Sequence, residues 1–199
     1  MTISYSLTPQ STGSLGKPVL DALIASGKFN ITVVARNTST AEVPSKDNVR
    51  QVKVDFSSHQ ALVDAFRGND AIVLTLGDFQ NLGKNTQVLS DAAIDAGIKR
   101  IILSEFGGCV FSSLYSVLCG VVTDIQRFSD LYNAPGKDLP IFKVKVDARA
   151  YVEGKAKEGK ITWTTIAVGG FFDWGLVNDL LGFGMFTLSI KCDTELTVV

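Results

Sequence analysis

Short apolar runs alternate along this chain with stretches whose apolar positions fall three and four apart. Ile31–Ala35, Ala71–Leu76 and Ile101–Leu103 are runs of the first kind. Such runs suit strands covered on both faces, as in a parallel sheet. Val52–Phe56 and Ile161–Val168 read as further strands. Between them lie four helical patterns. The first, Val19–Ser26, has Val19, Leu20, Leu23 and Ile24 on one face, and Gly27 is a natural C-cap. Ser57 is the expected cap of a second, which runs through Leu62, Val63 and Phe66 to Gly68. A third aligns Val88, Leu89, Ala92, Ala93 and Ala96 and closes at Gly97. The fourth, Phe142–Lys157, buries Val144, Ala148, Tyr151 and Val152, with Lys145 and Arg149 one position round, at its edge. Strands alternating with helices predict an α/β, doubly wound parallel sheet with right-handed crossovers and strand order 3-2-1-4-5-6.

Three stretches fit this rhythm poorly. Residues 1–11 should hold the first strand, yet Ile3, Tyr5 and Leu7 alternate with polar residues, and Pro9 lacks a ladder donor, so a distorted strand is expected. Cys109–Val122, inside an atypical insertion at about 108–139, is apolar without a clear period and too short to span a bilayer. From Leu176 to Val199 no element can be assigned.

Composition narrows the picture. At 199 residues the chain suits one domain, or one plus part of a second; nearly half of its residues are apolar, enough for a substantial core. A net charge of −1 argues against a nucleic-acid surface and gives no steering toward an anionic membrane. The three cysteines, Cys109, Cys119 and Cys192, lack metal-ligand spacing and imply no disulfide framework, so a reducing cytoplasm is the expected location. The one histidine, His59, opens a polar helix and reads as a solvated first-turn residue rather than a base.

Chemistry concentrates at Thr12-Gly13-Ser14-Leu15-Gly16-Lys17-Pro18. Glycines three apart where a strand turns into a helix let backbone N–H groups approach a phosphate, and the helix dipole adds positive potential. Gln10 stands where the first glycine of the dinucleotide fingerprint is expected. Arg36 closes the next strand twenty residues after Gly16. An acidic residue there suits the ribose 2′-hydroxyl of NAD; arginine suits the 2′-phosphate of NADP. Asp55, after the third strand, reads equally as a contact to an adenine edge or as a turn-forming aspartate.

Several segments together resemble the isoflavone reductase-like, or NmrA-like, group of atypical short-chain dehydrogenase/reductases. They are Thr-Gly-Ser-Leu-Gly at 12–16, Val-Val-Ala-Arg at 33–36, Val-Lys-Val-Asp at 52–55 and Ala-Gly-Ile-Lys-Arg-Ile-Ile-Leu-Ser-Glu-Phe-Gly at 96–107. Pro-Ile-Phe-Lys-Val-Lys at 140–145, Thr-Trp-Thr-Thr-Ile at 162–166 and Gly-Phe-Phe-Asp-Trp-Gly at 170–175 continue the match. The resemblance implies a Rossmann-like domain over 1–175, followed by an incomplete C-terminal remnant at 176–199. It implies NADP(H) held by Thr12, Gly13, Ser14, Leu15, Gly16, Arg36 and Asp55, with Ser104, Phe106, Phe171 and Phe172 also at the cofactor. Lys145 takes the place of the family's active-site lysine, whose proton affinity is pulled down beside oxidised nicotinamide and which then assists proton transfer. Phe171 and Phe172 would wall the nicotinamide or the substrate ring, or serve as core. The implied substrate is a small aromatic or carbonyl compound, with neither nucleic acid nor membrane as partner. Some NmrA-like relatives instead sense NADP(H) and bind a protein partner, and a truncated homologue without activity is a third reading. Tyr151-Val152-Glu153-Gly154-Lys155 matches the Tyr-x-x-x-Lys dyad of ordinary short-chain dehydrogenases, but Tyr151 lies on its helix's apolar face and reads as core.

Overall fold

The computed structural model describes residues 2–7, 15–78, 80–106, 140–167 and 189–192. Within them, β1 (Thr2–Leu7), β2 (Asn30–Arg36), β3 (Val49–Val54), β4 (Ala71–Thr75), β5 (Arg100–Ile102), β6 (Thr162–Ala167) and β7 (Ser189–Cys192) form one sheet. Its order is β3-β2-β1-β4-β5-β6-β7. The first six strands are parallel, in the expected order, and β7 adds an antiparallel edge on β6 that the sequence pattern does not reveal. The helices are α1 (Gly16–Ser26), α2 (His59–Phe66), α3 (Leu82–Asp95) and α4 (Pro140–Lys157).

The polar alternation in β1 leaves its register undisturbed. It pairs with β2 from Thr2↔Asn30 to Leu7↔Ala35 and with β4 from Ile3↔Ala71 to Leu7↔Thr75. Ladder bonds are made by peptide groups, so polar side chains do not by themselves bend the strand. The sheet's two faces are visible in the neighbouring strands. Val34, Ile72 and Leu74 pack into a large cluster with α2 and α3, joined by Val152 of α4. Ile31, Val33, Ala71 and Val73 pack on the other face with Leu20 of α1. Consecutive strand residues point to opposite faces, and burying both produces the predominantly apolar runs.

Local chemistry sets the element ends. Gly27 closes α1 in the left-handed region at φ 63°, where a Cβ would be strained. α1 begins at Gly16, three residues before the apolar pattern does, which places Pro18 in the first turn, where no N–H partner is required. At α2 the cap is Ser58, not Ser57. Asp55 Oδ1 accepts from the Ser57 N–H at 2.9 Å and from its hydroxyl at 2.7 Å, which leaves Ser58 Oγ to accept from the Ala61 N–H at 3.3 Å. Ser58→Ala should therefore cost roughly 1 kcal/mol of stability in urea unfolding, whereas Ser57→Ala should cost less; equal losses would contradict this division of labour.

Candidate functional site

The strands run outward in one direction from β1 to β3 and in the other from β4 to β6, so their order reverses between β1 and β4. In open α/β sheets ligands bind at such a switch point, beyond the strands' carboxyl ends. The start of α1 lies at this edge. Leu15, whose side chain offers no acceptor, stands at its N-cap; Gly16 is buried behind it, and the first turn carries no acidic residue. The dipole there is left for an anion. Thr12, Gly13 and Ser14 lie outside the described residues, as do Phe171, Phe172 and the segment 108–139.

Arg36 ends β2 at the same edge. Its guanidinium carbon sits 5.4 Å from the centroid of Phe56, just past β3, and its Nε is buried without a hydrogen-bond partner among the described residues. A buried, unsatisfied donor of a charged group is costly unless a ligand completes it. A phosphate is the natural completion, since the guanidinium fork matches its oxygens. The arrangement fits a 2′-phosphorylated dinucleotide. Asp78, after β4, holds Asn81: the amide of Asn81 donates to Oδ2 at 2.8 Å, and this bond holds the Asp78 carboxyl below its ordinary range against desolvation, with the charge of Arg36 helping. Asp55 is exposed, and the hydroxyl and then the N–H of Ser57 lower its carboxyl in the same way.

The chain beyond β5 supplies the other wall. Ser104 Oγ accepts from the Leu76 N–H at 2.8 Å and donates to the Leu76 carbonyl at 3.1 Å, tying the ends of β4 and β5 together. Phe106 is half-buried against the cluster under α1. Lys145 and Arg149, expected at the edge of α4, are instead buried, 9% and 8% exposed. Reading a charge as exposed fails here because Glu105 follows β5 and its Oε2 lies 3.5 Å from Arg149 Nη1. Glu105 was no candidate in the sequence; only its place in Ser-Glu-Phe-Gly marks it.

The Tyr151/Lys155 pair lies away from this edge, in the C-terminal half of α4 and facing that of α3. Tyr151 packs against the core, and its hydroxyl donates to both oxygens of Asp91 at 2.7 and 2.8 Å. Lys155 Nζ stands 3.7 Å from Asp91 and 5.1 Å from the ring centroid. Burial first, then Asp91, push the phenol above its usual value, the wrong direction for a group that must exchange a proton near neutrality. His59 is exposed and pairs with Asp95 at 2.8 Å. Clefts of about 480 and 330 Å³ lie at the opposite edge, where β2 and β3 begin and where α3 and α4 end. They take no part in the site. Among the described residues no His, Cys, Asp and Glu cluster could hold a metal, and no helix is long and apolar enough to cross a membrane.

Comparison with known proteins bears on the cofactor and the fold. The profile of a family described as NAD(P)H-binding matches residues 11–179. The oxidoreductase AprR of Aspergillus flavus is 29% identical over 177 residues, 87% of this chain and 50% of that protein. A crystal structure of isoflavone reductase superposes with a TM-score of 0.60 at 20% identity, over 88% of this chain and 51% of that one. The structure of AtPrR2 with NADP+ and (+)pinoresinol gives 0.56 at 22%, over 87% and 51%. At these identities the two structures show the fold alone. The chain spans about half the length of each of these three proteins.

Proposed function

The chain belongs to the NAD(P)H-binding family, and from that premise we propose that it is an NADP(H)-dependent reductase of small aromatic or carbonyl compounds, of the isoflavone reductase-like type. The observation that carries the reading is Arg36, stacked on Phe56 at the end of β2 with a buried nitrogen that has no partner among the described residues. It binds the 2′-phosphate. The N-terminus of α1, with Thr12 to Gly16 ahead of it, takes the pyrophosphate. Asp55, Ser104, Phe106, Phe171 and Phe172 complete the cofactor's surroundings, Ser104 by holding two strand ends in place. The nicotinamide, when bound, supplies the hydride. Lys145, one turn into α4, holds at Nζ the proton that the reduced substrate requires. The pinoresinol bound to AtPrR2 supports an aromatic substrate class. We place the protein in the cytoplasm, with a small-molecule partner.

Titration with NADPH and NADH, followed by tryptophan fluorescence and thermal stability, tests this. NADPH should bind the more tightly, and Arg36→Ala should weaken it roughly 10- to 150-fold, the worth of a charge-assisted contact of about 1.5–3 kcal/mol, with little effect on NADH. Equal affinities for both cofactors, or an NADPH affinity indifferent to Arg36, would sink the reading.

A further inference from the structure

An arginine binds a phosphate well only when its guanidinium is already in place, because ordering a long side chain on binding consumes much of what the contact yields. The turn after β3 supplies what holds Arg36. Phe56 is half-buried against the large cluster that contains Val54 and Leu62. The guanidinium carbon of Arg36 lies over its ring, 5.4 Å from the centroid. A phenyl ring attracts a cation through its quadrupole but offers no lone pair. A carboxylate in that place would take up the N–H groups and cancel the charge. The ring does neither, and the buried Nε still lacks an acceptor among the described residues. The two carboxylates at this edge bond within their own turns: Asp78 Oδ2 accepts from the Asn81 amide at 2.8 Å, and Asp55 closes the turn that carries Phe56.

That turn is closed twice. The Ser58 N–H donates to the Asp55 carbonyl at 3.1 Å, and the Ser57 N–H donates to Asp55 Oδ1 at 2.9 Å. Phe56 lies between the acceptors and both donors, so the two bonds together fix its backbone. Arg36 is fixed just as closely. The Asn37 N–H donates to the Val54 carbonyl at 3.0 Å, and the Ser39 N–H donates to the Arg36 carbonyl at 2.9 Å. Arg36 is paired with Val54 in the sheet, so cation and ring are carried by the ends of two adjoining strands in set register.

We propose that Phe56 is a specificity-determining positioning residue, a plate that holds the Arg36 guanidinium ready and leaves its N–H donors to a ribose 2′-phosphate. Asp55 acts on the same group through Phe56, by closing the turn. Its place after β3 leaves two roles open, and this assigns it to the turn rather than to an adenine edge. The inference deepens the NADP(H) reading given above and rests on it. A residue that works only through the phosphate contact changes the affinity for NADPH and leaves that for NADH alone.

Kd values of the full chain for NADPH and NADH, from tryptophan fluorescence, give this selectivity as a ratio. Phe56→Leu keeps an apolar side chain against the core but removes the ring. It should lower the ratio roughly 3- to 10-fold, through NADPH alone. Phe56→Tyr, which restores a ring, should return the wild-type ratio. In an Arg36→Ala background Phe56→Leu should have no further effect on the ratio, since the group it holds is gone. Asp55 is exposed, so its variants should fold even if Phe56→Leu does not. Asp55→Asn keeps an acceptor for the Ser57 N–H and Asp55→Ala does not, while both lose the charge. The alanine variant should therefore show the lower ratio of the two, by roughly twofold. A wild-type protein with no preference for NADPH would overturn the NADP(H) reading and this inference with it. A preference that depends on Arg36, yet keeps its wild-type ratio in Phe56→Leu and is equal in the two Asp55 variants, overturns the inference alone. Equal losses for both cofactors, as general damage to the fold would give, leave the ratio unmoved and count as that second result.

Discussion

Lys145→Ala is expected to lower NADPH-dependent reduction roughly 10²- to 10⁴-fold, the usual worth of a positioned proton donor, while leaving the Kd for NADPH nearly unchanged. The separation follows from placement. Lys145 lies on α4, across the switch point from Arg36, so deleting its amine removes nothing from the phosphate contacts. Removing a buried cation also changes the balance of charge around Glu105, and a second variant isolates the proton from the charge. Lys145→Arg keeps the cation but cannot release a proton in the working pH range. It should be as inactive as the alanine variant and better folded. Turnover at the wild-type rate in either variant would remove Lys145 from the mechanism.

The second large effect is on stability. Among the described residues Phe66 is the largest fully buried side chain, at the end of α2 beside Leu62 and under the sheet face that carries Val34, Ile72 and Leu74. Phe66→Ala should cost about 3–5 kcal/mol, through lost transfer energy and the cavity left behind. For a chain of this size that lowers Tm by roughly 10 °C, and it is a large part of a domain's total margin of about 5–15 kcal/mol. Thermal unfolding with and without NADPH is the measurement. Because Phe66 lies below the sheet, away from Arg36, the cofactor should raise Tm by the same increment in variant and wild type. A loss under about 1 kcal/mol would mean that the surrounding cluster closes over the gap.

Most of this framework is legible in the sequence because parallel strands leave a plain trace. Ile31–Ala35 and Ala71–Leu76 are buried along their whole length, and the one polar residue in each, Thr32 and Thr75, is itself buried. Legibility falls at the edges. β3 is an edge strand whose first five residues are only half-buried or exposed, and the apolar pattern finds only its last part, from Val52. β7 is four residues long, with a single apolar side chain between Ser189 and Lys191, too little for a period. The site divides in the same way. The glycine turn and Arg36 stand at fixed distances along one β-α-β unit, so sequence spacing exposes them. Glu105 and Arg149 are 44 positions apart, and what joins them is the docking of α4 on the end of β5. No local pattern carries that information.

The pairing of β1 has a consequence for how the protein is made. Ile3 sits opposite Ile31 on one side and Ala71 on the other. The last partner follows roughly 70 residues later, a delay on the order of 3–14 s at ordinary rates of synthesis. Throughout that interval the strand that will stand at the centre of the sheet has one hydrogen-bonding edge with nothing to meet. No hairpin can shorten the wait, because every pairing among the first six strands is parallel.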